Sequence, residues 1–231
     1  MVHRRAVPPR AEVQALCPRA AVRRVRARGD GGRAAGLTAA WPDRLDAALS
    51  LTARRYAFER AHPVAGNPLA GFFRRDVAAM GRAAIAARPE RLLVRASTGA
   101  PGWAAVPWLA FFAPQVTRSM RHGLYVAVFV NARDEGVVLS LQHGAADALR
   151  LHGPDAGLRH LRAQAAATRA ALPGHGFRAG PVDLGSPAAL PQGYQAGCAV
   201  WDAWSARDEA LEGFDAALVR MLDLYRLRVA P

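Results

Sequence analysis

Apolar residues recur at helical spacing over two stretches in the first third of the sequence. The first stretch runs from about Pro42 to just before Pro63, and its apolar residues alternate with arginines. The second starts at Asn67-Pro68 and ends at Arg88-Pro89, with apolar residues about 3.6 positions apart. Because proline suits the first turn of a helix and stops a helix that precedes it, the pattern predicts two helices with these limits.

Four apolar runs in the middle of the chain are typical of β-strands. They cover residues 91–97, 107–113, 124–131 and 137–142. The last two runs are joined by residues 132–136, whose Ala-Arg-Asp-Glu-Gly sequence is a tight-turn signal. We therefore predict a β-hairpin there.

Helical and strand-like segments alternate in the last third of the chain. The spacing predicts a helix over 149–172, a short strand at 182–184 and a longer strand at 194–201. Ser205 followed by Asp208 resembles a capping box and predicts a final amphipathic helix over residues 207–228.

The order of these elements favours an α+β fold, in which a mainly antiparallel mixed sheet is flanked by helices. We expect one domain over residues 37–231, preceded by a disordered Arg-rich tail at 1–36. The tail carries nine arginines against Glu12 and Asp30 and is rich in Ala, Gly and Pro. It is either an arm that touches DNA or an extension that arises from a mis-assigned start.

The formal charge of +13 is less informative than it looks. All 31 basic residues are arginine in an alanine-rich background, which suggests codon bias in a GC-rich genome as much as selection for DNA binding. The charge is also lopsided, with 12 arginines and 5 acids at 43–121 but 4 arginines and 7 acids at 181–231. Such a field suits an anionic partner, although a solvated surface is the commoner cause.

The absence of lysine excludes several classes of chemistry. A Walker-type phosphate loop, a protein-kinase site and Schiff-base catalysis all need a lysine. The sequence has no C-x-x-C motif, and His152 and His160 are eight residues apart, which does not match zinc-ligand spacing. We therefore expect no metal site and no cofactor.

Catalysis has little support in the sequence. Ser97 or Ser140 could act as a nucleophile only if a histidine such as His143 folded against it. A small hydrolase that uses Ser97 or His143 is the weakest hypothesis, and we expect no enzyme activity. The longest apolar run, residues 104–113, is half of what a membrane span needs, and the two cysteines suggest no disulfide framework. A cytoplasmic protein is expected.

The segment 91–144 carries the most informative pattern. Small residues at 97–102 form a loop between two predicted strands, Trp103 and Trp108 follow the loop, and Tyr125 opens the next strand. Small residues allow a backbone to approach another backbone or a phosphate closely. The plainer interpretation is that these aromatic residues simply pack into the core.

The run S-x-G-x-x-G-W-A-x-V-P-W-L-A-F-F, followed by R-H-G-L-Y-V-A-V-F and V-V-L-S-L-Q-H-G, resembles the MrcB-like N-terminal family over about residues 42–229. This is the DNA-binding domain of McrB-type, modification-dependent restriction proteins. The resemblance implies an α+β domain that binds double-stranded DNA and flips a methylated or hydroxymethylated cytosine into an aromatic pocket. Its site has three parts: pocket residues Trp108, Tyr125 and Phe129; loop residues Ser97, Gly99, Ala100, Pro101, Gly102 and Trp103; and phosphate-contacting residues Arg95, Arg118, Ser119 and Arg121.

Two departures from the family leave alternatives open. The relatives have an aromatic residue before V-P-W, whereas this chain has Ala100-Pro101. Either Pro101 acts as a smaller wedge, or Trp103 substitutes, or no base is flipped. The sequence also contains no motor, so we expect either a stand-alone reader that recruits a separately encoded NTPase motor and nuclease as partners, or a split or truncated remnant. The alternative function is a protein-interaction or regulatory domain of a defence system that has lost base reading.

Overall fold

The computed structural model describes residues 41–131, 133–207 and 210–229. The predicted disorder of residues 1–36 and the capping role of Asp208 lie outside the described residues.

A five-stranded sheet forms the middle layer, and its strands follow one another in chain order. Every pairing is antiparallel, and each strand pairs with the strand that precedes or follows it in the sequence. This topology needs no crossover connection within the sheet, so β3 and β4 can be joined by the tight turn that includes residues 133–135. The strands are β1 Leu93–Ser97, β2 Trp108–Phe112, β3 Leu124–Asn131, β4 Gly136–His143 and β5 Cys198–Ser205.

Helices cover both faces of the sheet. One core cluster joins the sheet to the N-terminal helices and the last helix, and a second cluster joins the other face to the helices between β4 and β5. No helix within the described ranges has the length and apolar character needed to cross a membrane. The helices are α1 Leu45–Glu59, α2 Pro68–Phe72, α3 Ala78–Ala84, α4 Ala146–His152, α5 Pro154–Ala170, α6 Ala189–Ala196 and α7 Phe214–Val229, and a π-helical turn at Phe73–Val77 joins α2 to α3.

The predicted α+β class and the predicted antiparallel sheet are confirmed. The first four predicted strands agree with β1–β4 to within two residues at either end. The predicted helix at 149–172 is split into two, because Pro154 starts a new helix, and proline is favoured at that position.

Three predicted elements after β4 differ from the structure. Residues 182–184 make no strand, although Val182 and Leu184 are buried beneath the sheet as predicted apolar positions should be. The predicted strand at 194–201 is wrong in its first half, which belongs to α6. Pro191 and Tyr194 are both buried, at the three-residue spacing of a helix face.

The last helix begins later than predicted. Helix α7 starts at Phe214, and the Ser205 side chain instead accepts a hydrogen bond from the backbone N–H of Arg207, 3.3 Å away. Ser205 therefore shapes a turn after β5 and does not cap α7.

Tyr225 of α7 connects two strands through its hydroxyl. The group accepts a hydrogen bond from the Ala113 N–H and donates one to the Leu124 carbonyl, both at 2.9 Å. Ala113 follows β2 and Leu124 opens β3, so one side chain holds both strand ends against α7. Burial raises the pKa of this hydroxyl to about 12, so it remains a donor at neutral pH.

We expect Tyr225→Phe to lower the free energy of unfolding by about 1–3 kcal/mol, because it leaves a buried N–H and a buried carbonyl without this partner. Urea unfolding followed by circular dichroism measures the difference. The control is Leu227→Ala on the same helix, where the side chain is 59% exposed and the loss should be near zero. Equal stability of wild type and Tyr225→Phe would contradict this role.

Candidate functional site

The predicted pocket residues lie on one face of the sheet, in rows that run across the strands. Side chains two apart on a strand share a face, and register sets which of them are neighbours across strands. The row nearest the loop 98–107, here the loop row, contains Ser97, Trp108, Phe129, Val138 and Ala203. The middle row contains Arg95, Ala110, Ala127, Ser140 and Trp201, and the far row contains Leu93, Phe112, Tyr125, Gln142 and Cys198.

Trp108 and Phe129 are brought together, whereas Tyr125 lies two rows away. Trp108 and Phe129 are directly paired across β2 and β3. Tyr125 is four residues from Phe129 along β3, which is roughly 14 Å in a strand. On β2 and β3, the positions between the two rows of aromatic side chains are occupied by Ala110 and Ala127, both completely buried. The three predicted pocket residues thus border a strip of small side chains.

The three residues differ in burial. Trp108 is partly exposed, while Tyr125 and Phe129 are almost completely buried. The Tyr125 ring packs against Phe112 with centroids 5.2 Å apart, and Phe129 packs against Tyr194 at the same distance. Burial raises the pKa of Tyr125 well above its ordinary value, and its hydroxyl donates to the Met120 carbonyl at 3.3 Å. Trp108 is therefore the member of the set that solvent can reach.

The far row also contains an unpartnered buried acceptor. The Gln142 amide nitrogen donates to the carbonyls of Tyr194, at 2.8 Å, and His143, at 2.9 Å. These two acceptors fix the orientation of the amide, and its oxygen has no hydrogen-bond partner among the described residues. An unsatisfied buried acceptor costs about 1–3 kcal/mol, so a donor that reached it would be held strongly.

The loop between β1 and β2 is closed at its stem by one backbone bond and one tyrosine. The Ala104 N–H donates to the Thr98 carbonyl at 2.6 Å. The buried Tyr56 hydroxyl of α1 lies 3.2 Å from that carbonyl and 2.9 Å from the Ala104 carbonyl. Burial raises the pKa of Tyr56, against the nearby positive charges of Arg60 and Arg74, so the hydroxyl stays protonated as a donor.

Two further contacts hold the stem from outside. Arg74, in the π-helical turn, donates through Nε to Thr98 Oγ1 and through Nη2 to the Gly99 carbonyl, both at 2.9 Å. Trp103 donates through Nε1 to the His62 carbonyl at 2.7 Å, and its ring meets Tyr56 edge-on with centroids 5.2 Å apart. Trp103 is thus anchored beside α1, and Ala100, Pro101 and Gly102 form the exposed tip.

The predicted phosphate contacts are spread over the length of the sheet. Arg95 is exposed in the middle row, on the same face as Trp108. Arg118, Ser119 and Arg121 lie before β3, at the end opposite the loop 98–107 and roughly 20 Å from it. Arg121 donates to Asp147 at 2.8 Å, which holds the pKa of that carboxyl below its ordinary value. The structure therefore does not bring the four residues into one group.

The candidate catalytic residues Ser97, Ser140 and His143 make hydrogen bonds elsewhere in the described structure. No three His, Cys, Asp or Glu side chains there are grouped so as to hold a metal ion. Ser97 accepts a hydrogen bond from the Gly99 N–H at 3.0 Å, so it shapes the loop. His143 is 2.8 Å from the hydroxyl of Thr168, and Ser140 lies 3.4 Å from the Ala127 carbonyl. Neither Ser97 nor Ser140 has a histidine as its partner in these hydrogen bonds.

Most of the chain matches a known protein family. The sequence profile described as MrcB-like, N-terminal domain matches residues 52–228, about three quarters of the chain. The chain belongs to the MrcB-like N-terminal domain family. The predicted resemblance is therefore confirmed, and the chain contains a domain of the McrB type. A search among curated proteins found no match.

Sequence reasoning missed the residues of this MrcB-like domain that shape the loop. Tyr56 and Arg74 lie 42 and 24 residues before Thr98, so no local pattern connects them to it. A tyrosine on a buried helix face was a usable signal, because its hydroxyl needs a partner. For Arg74 no sequence signal existed, since the π-helical turn that presents it is not visible in the spacing.

We expect Gly99→Ala to destabilise the loop of this MrcB-like domain. Gly99 has φ 99°, and a Cβ there would lie 2.3 Å from both the Ala104 nitrogen and the Gly102 oxygen. Such backbone strain costs about 1–3 kcal/mol. Hydrogen exchange of the Ala104 amide measures the loss. Gly102→Ala is the matched control, because its Cβ would meet nothing within 4 Å and its exchange should not change. Equal exchange in both variants would refute the constraint.

We expect His143 to make this MrcB-like domain less stable in acid. Burial, with the nearby His160, lowers the pKa of His143 from 6.5 to about 4. Between these values the unfolded chain binds a proton that the folded chain does not, so stability falls as pH drops from 6.5 towards 4. Between pH 6.5 and 4, the urea midpoint of His143→Gln should fall less than that of the wild type. The difference should correspond to about 1–3 kcal/mol of unfolding free energy. The control is His62→Gln, at an exposed histidine, which should keep the wild-type dependence of the urea midpoint on pH. If His143→Gln also keeps the wild-type dependence, His143 is not the cause of the acid sensitivity.

Proposed function

We propose that this domain is a non-catalytic DNA-binding module of a restriction or phage-defence system, and that it recognises cytosine-modified DNA by flipping the base towards the aromatic face. It acts in the cytoplasm with a separately encoded NTPase motor and nuclease. Membership of the MrcB-like family supports the restriction-system context. The observation that carries the finer proposal is the strip of Ala110 and Ala127 between two rows of aromatic side chains, with Trp108 partly exposed at its border.

The strip suits a planar base with a methyl group. Flipping a base out of a duplex costs a few kcal/mol, and stacking on aromatic faces offsets about 1–3 kcal/mol per base. Trp108 offers a ring that solvent partly reaches, and Ala110 and Ala127 are small side chains, completely covered by the second core cluster in this state. The unpartnered oxygen of Gln142, in the row of Tyr125, is an acceptor that matches the exocyclic amine of cytosine. For a base to reach it, the side chains that now cover Tyr125 have to move aside.

The loop supports Pro101 over Trp103 as the wedge that replaces the flipped base. The Trp103 ring is engaged by Tyr56 and by the His62 carbonyl, so it is committed to the stem. Pro101 is exposed at the tip. Other DNA-bending proteins insert apolar side chains, proline among them, between base steps.

We expect Trp108→Ala to abolish the preference for modified DNA, because it removes the accessible stacking surface. Fluorescence anisotropy of the whole chain, with duplexes of one sequence carrying cytosine, 5-methylcytosine, 5-hydroxymethylcytosine or N6-methyladenine, measures the affinities. Wild type should prefer one modified cytosine at least tenfold, equivalent to about 1.4 kcal/mol. Trp201→Ala, on the same face but at the β5 edge, should keep this preference.

Each other outcome has a defined meaning. A folded Trp108→Ala protein that keeps the preference contradicts the pocket assignment. Equal, salt-sensitive binding of all duplexes identifies a backbone binder. A wild-type chain that ignores every duplex but co-purifies with a motor or nuclease favours the alternative, a protein-interaction or regulatory domain.

A further inference from the structure

Arginines surround the stem of the loop 98–107, at the end of the sheet opposite Arg118 and Arg121. Arg74 and Arg75 occupy the π-helical turn, and Arg60 follows α1 directly. All three are exposed. Such a turn inserts an extra residue into a helix and is frequent at functional sites. Here it presents two consecutive arginines beside the loop.

These three guanidinium groups carry uncompensated charge. None of Arg60, Arg74 and Arg75 has a carboxylate within 4.0 Å in the described part of the chain, although Glu59 precedes Arg60 and Asp76 follows Arg75 in the sequence. Arg74 donates two hydrogen bonds to neutral acceptors, Thr98 Oγ1 and the Gly99 carbonyl, so no negative charge in these contacts neutralises its guanidinium group. Arg121, by contrast, shares Asp147 with His122 and Arg150.

Two clefts contain these arginines, and each is connected to the stem by one residue, Arg74 in the first and Ala105 in the second. The first has a volume of about 270 Å³, lies beside α2 and is lined by Arg74, Arg75 and Gly71. Gly71 makes room for the Arg75 head group, since a Cβ there would lie 3.1 Å from Nη1. The second, of about 420 Å³, is lined by Arg60, Arg133 and the residue that follows the stem, Ala105.

The geometry of a DNA groove suggests the same ligand, a backbone phosphate, for both clefts. A loop that enters a groove of B-DNA has a phosphate strand on each side, because the grooves are about 6 and 12 Å wide. The guanidinium fork matches the oxygens of a phosphate, and contacts of this kind set the position of a protein on the duplex. Exposed arginines beside the stem of a protruding loop can supply such contacts.

We propose that the two clefts beside the loop stem, one with Arg74 and Arg75 and the other with Arg60, each bind a phosphate of the DNA backbone. This inference rests on the proposed function and moves the backbone contacts from Arg118 and Arg121 to the loop end of the sheet. Arg133 contributes less, because Asp134 and Asp183 lie 2.8 and 2.5 Å from its guanidinium group.

Arg74 has a second role as a positioning residue. It joins the phosphate cleft to the start of the loop through two hydrogen bonds, so a phosphate held there also fixes the shape of the loop. Lysine would keep the charge at this position but could not reproduce the two-pronged contact. Charge and loop geometry can therefore be separated by substitution.

The test is the salt dependence of DNA binding by the full chain. Each lost phosphate contact should weaken binding to all duplexes alike and reduce the slope of log K against log salt by about 1. We expect this for Arg75→Gln and Arg60→Gln but not for Arg118→Gln or Arg121→Gln. Arg226→Gln, an exposed arginine at the far end of the sheet, is the control for a general loss of charge.

Arg74 is tested by two variants. Arg74→Lys should keep the wild-type salt slope and lose most of the tenfold preference for modified DNA, whereas Arg74→Gln should lose both. Unchanged slopes in Arg75→Gln and Arg60→Gln, with reduced slopes in Arg118→Gln and Arg121→Gln, would overturn the inference and leave the proposed function standing. A wild-type chain that binds no duplex would overturn the proposed function, and this inference with it.

Discussion

Burial of β3 on both faces is the constraint on which the rest of the molecule depends. All eight of its residues are buried, and the seven apolar ones, Leu124 to Val130, lie alternately in the two cores. A slip of one residue would exchange every side chain between these cores, so the register with β2 and β4 is strongly specified. That register decides which aromatic residues become neighbours. The pairing of Trp108 with Phe129, and the distance of both from Tyr125, follow from it.

Sequence pattern predicted the strands whose apolar residues are continuous and failed at 182–184 and 194–201, where burial does not imply strand pairing. Strands β1–β4 were predicted because apolar runs with a turn signal leave few alternatives. The segment 194–201 was misjudged because its small and aromatic residues fit a helix face as well as a strand, and only packing against α5 separates the two. Residues 182–184 show that a buried apolar stretch need not pair with a strand.

The candidate site was predicted in part for a similar reason. Residues close together in the sequence, such as those of the loop 98–107, were identified as a group. Arg118 and Arg121 were assigned with them on sequence proximity to Tyr125, but an antiparallel strand carries its two ends to opposite edges of the sheet. Tyr56 and Arg74 come from helices far away in the sequence, and only the folded chain brings them to the loop.

The loop separates two tasks that most binding loops combine. Its stem is held by Tyr56, Arg74 and the His62 carbonyl, all outside the loop, while its tip makes none of these bonds. Residues 100–102 thus carry almost none of the cost of keeping the loop in shape. Substitutions at the tip therefore leave the hydrogen bonds of the stem intact. With the stem anchored in this way, the sequence of the tip can change at little cost to the stability of the fold.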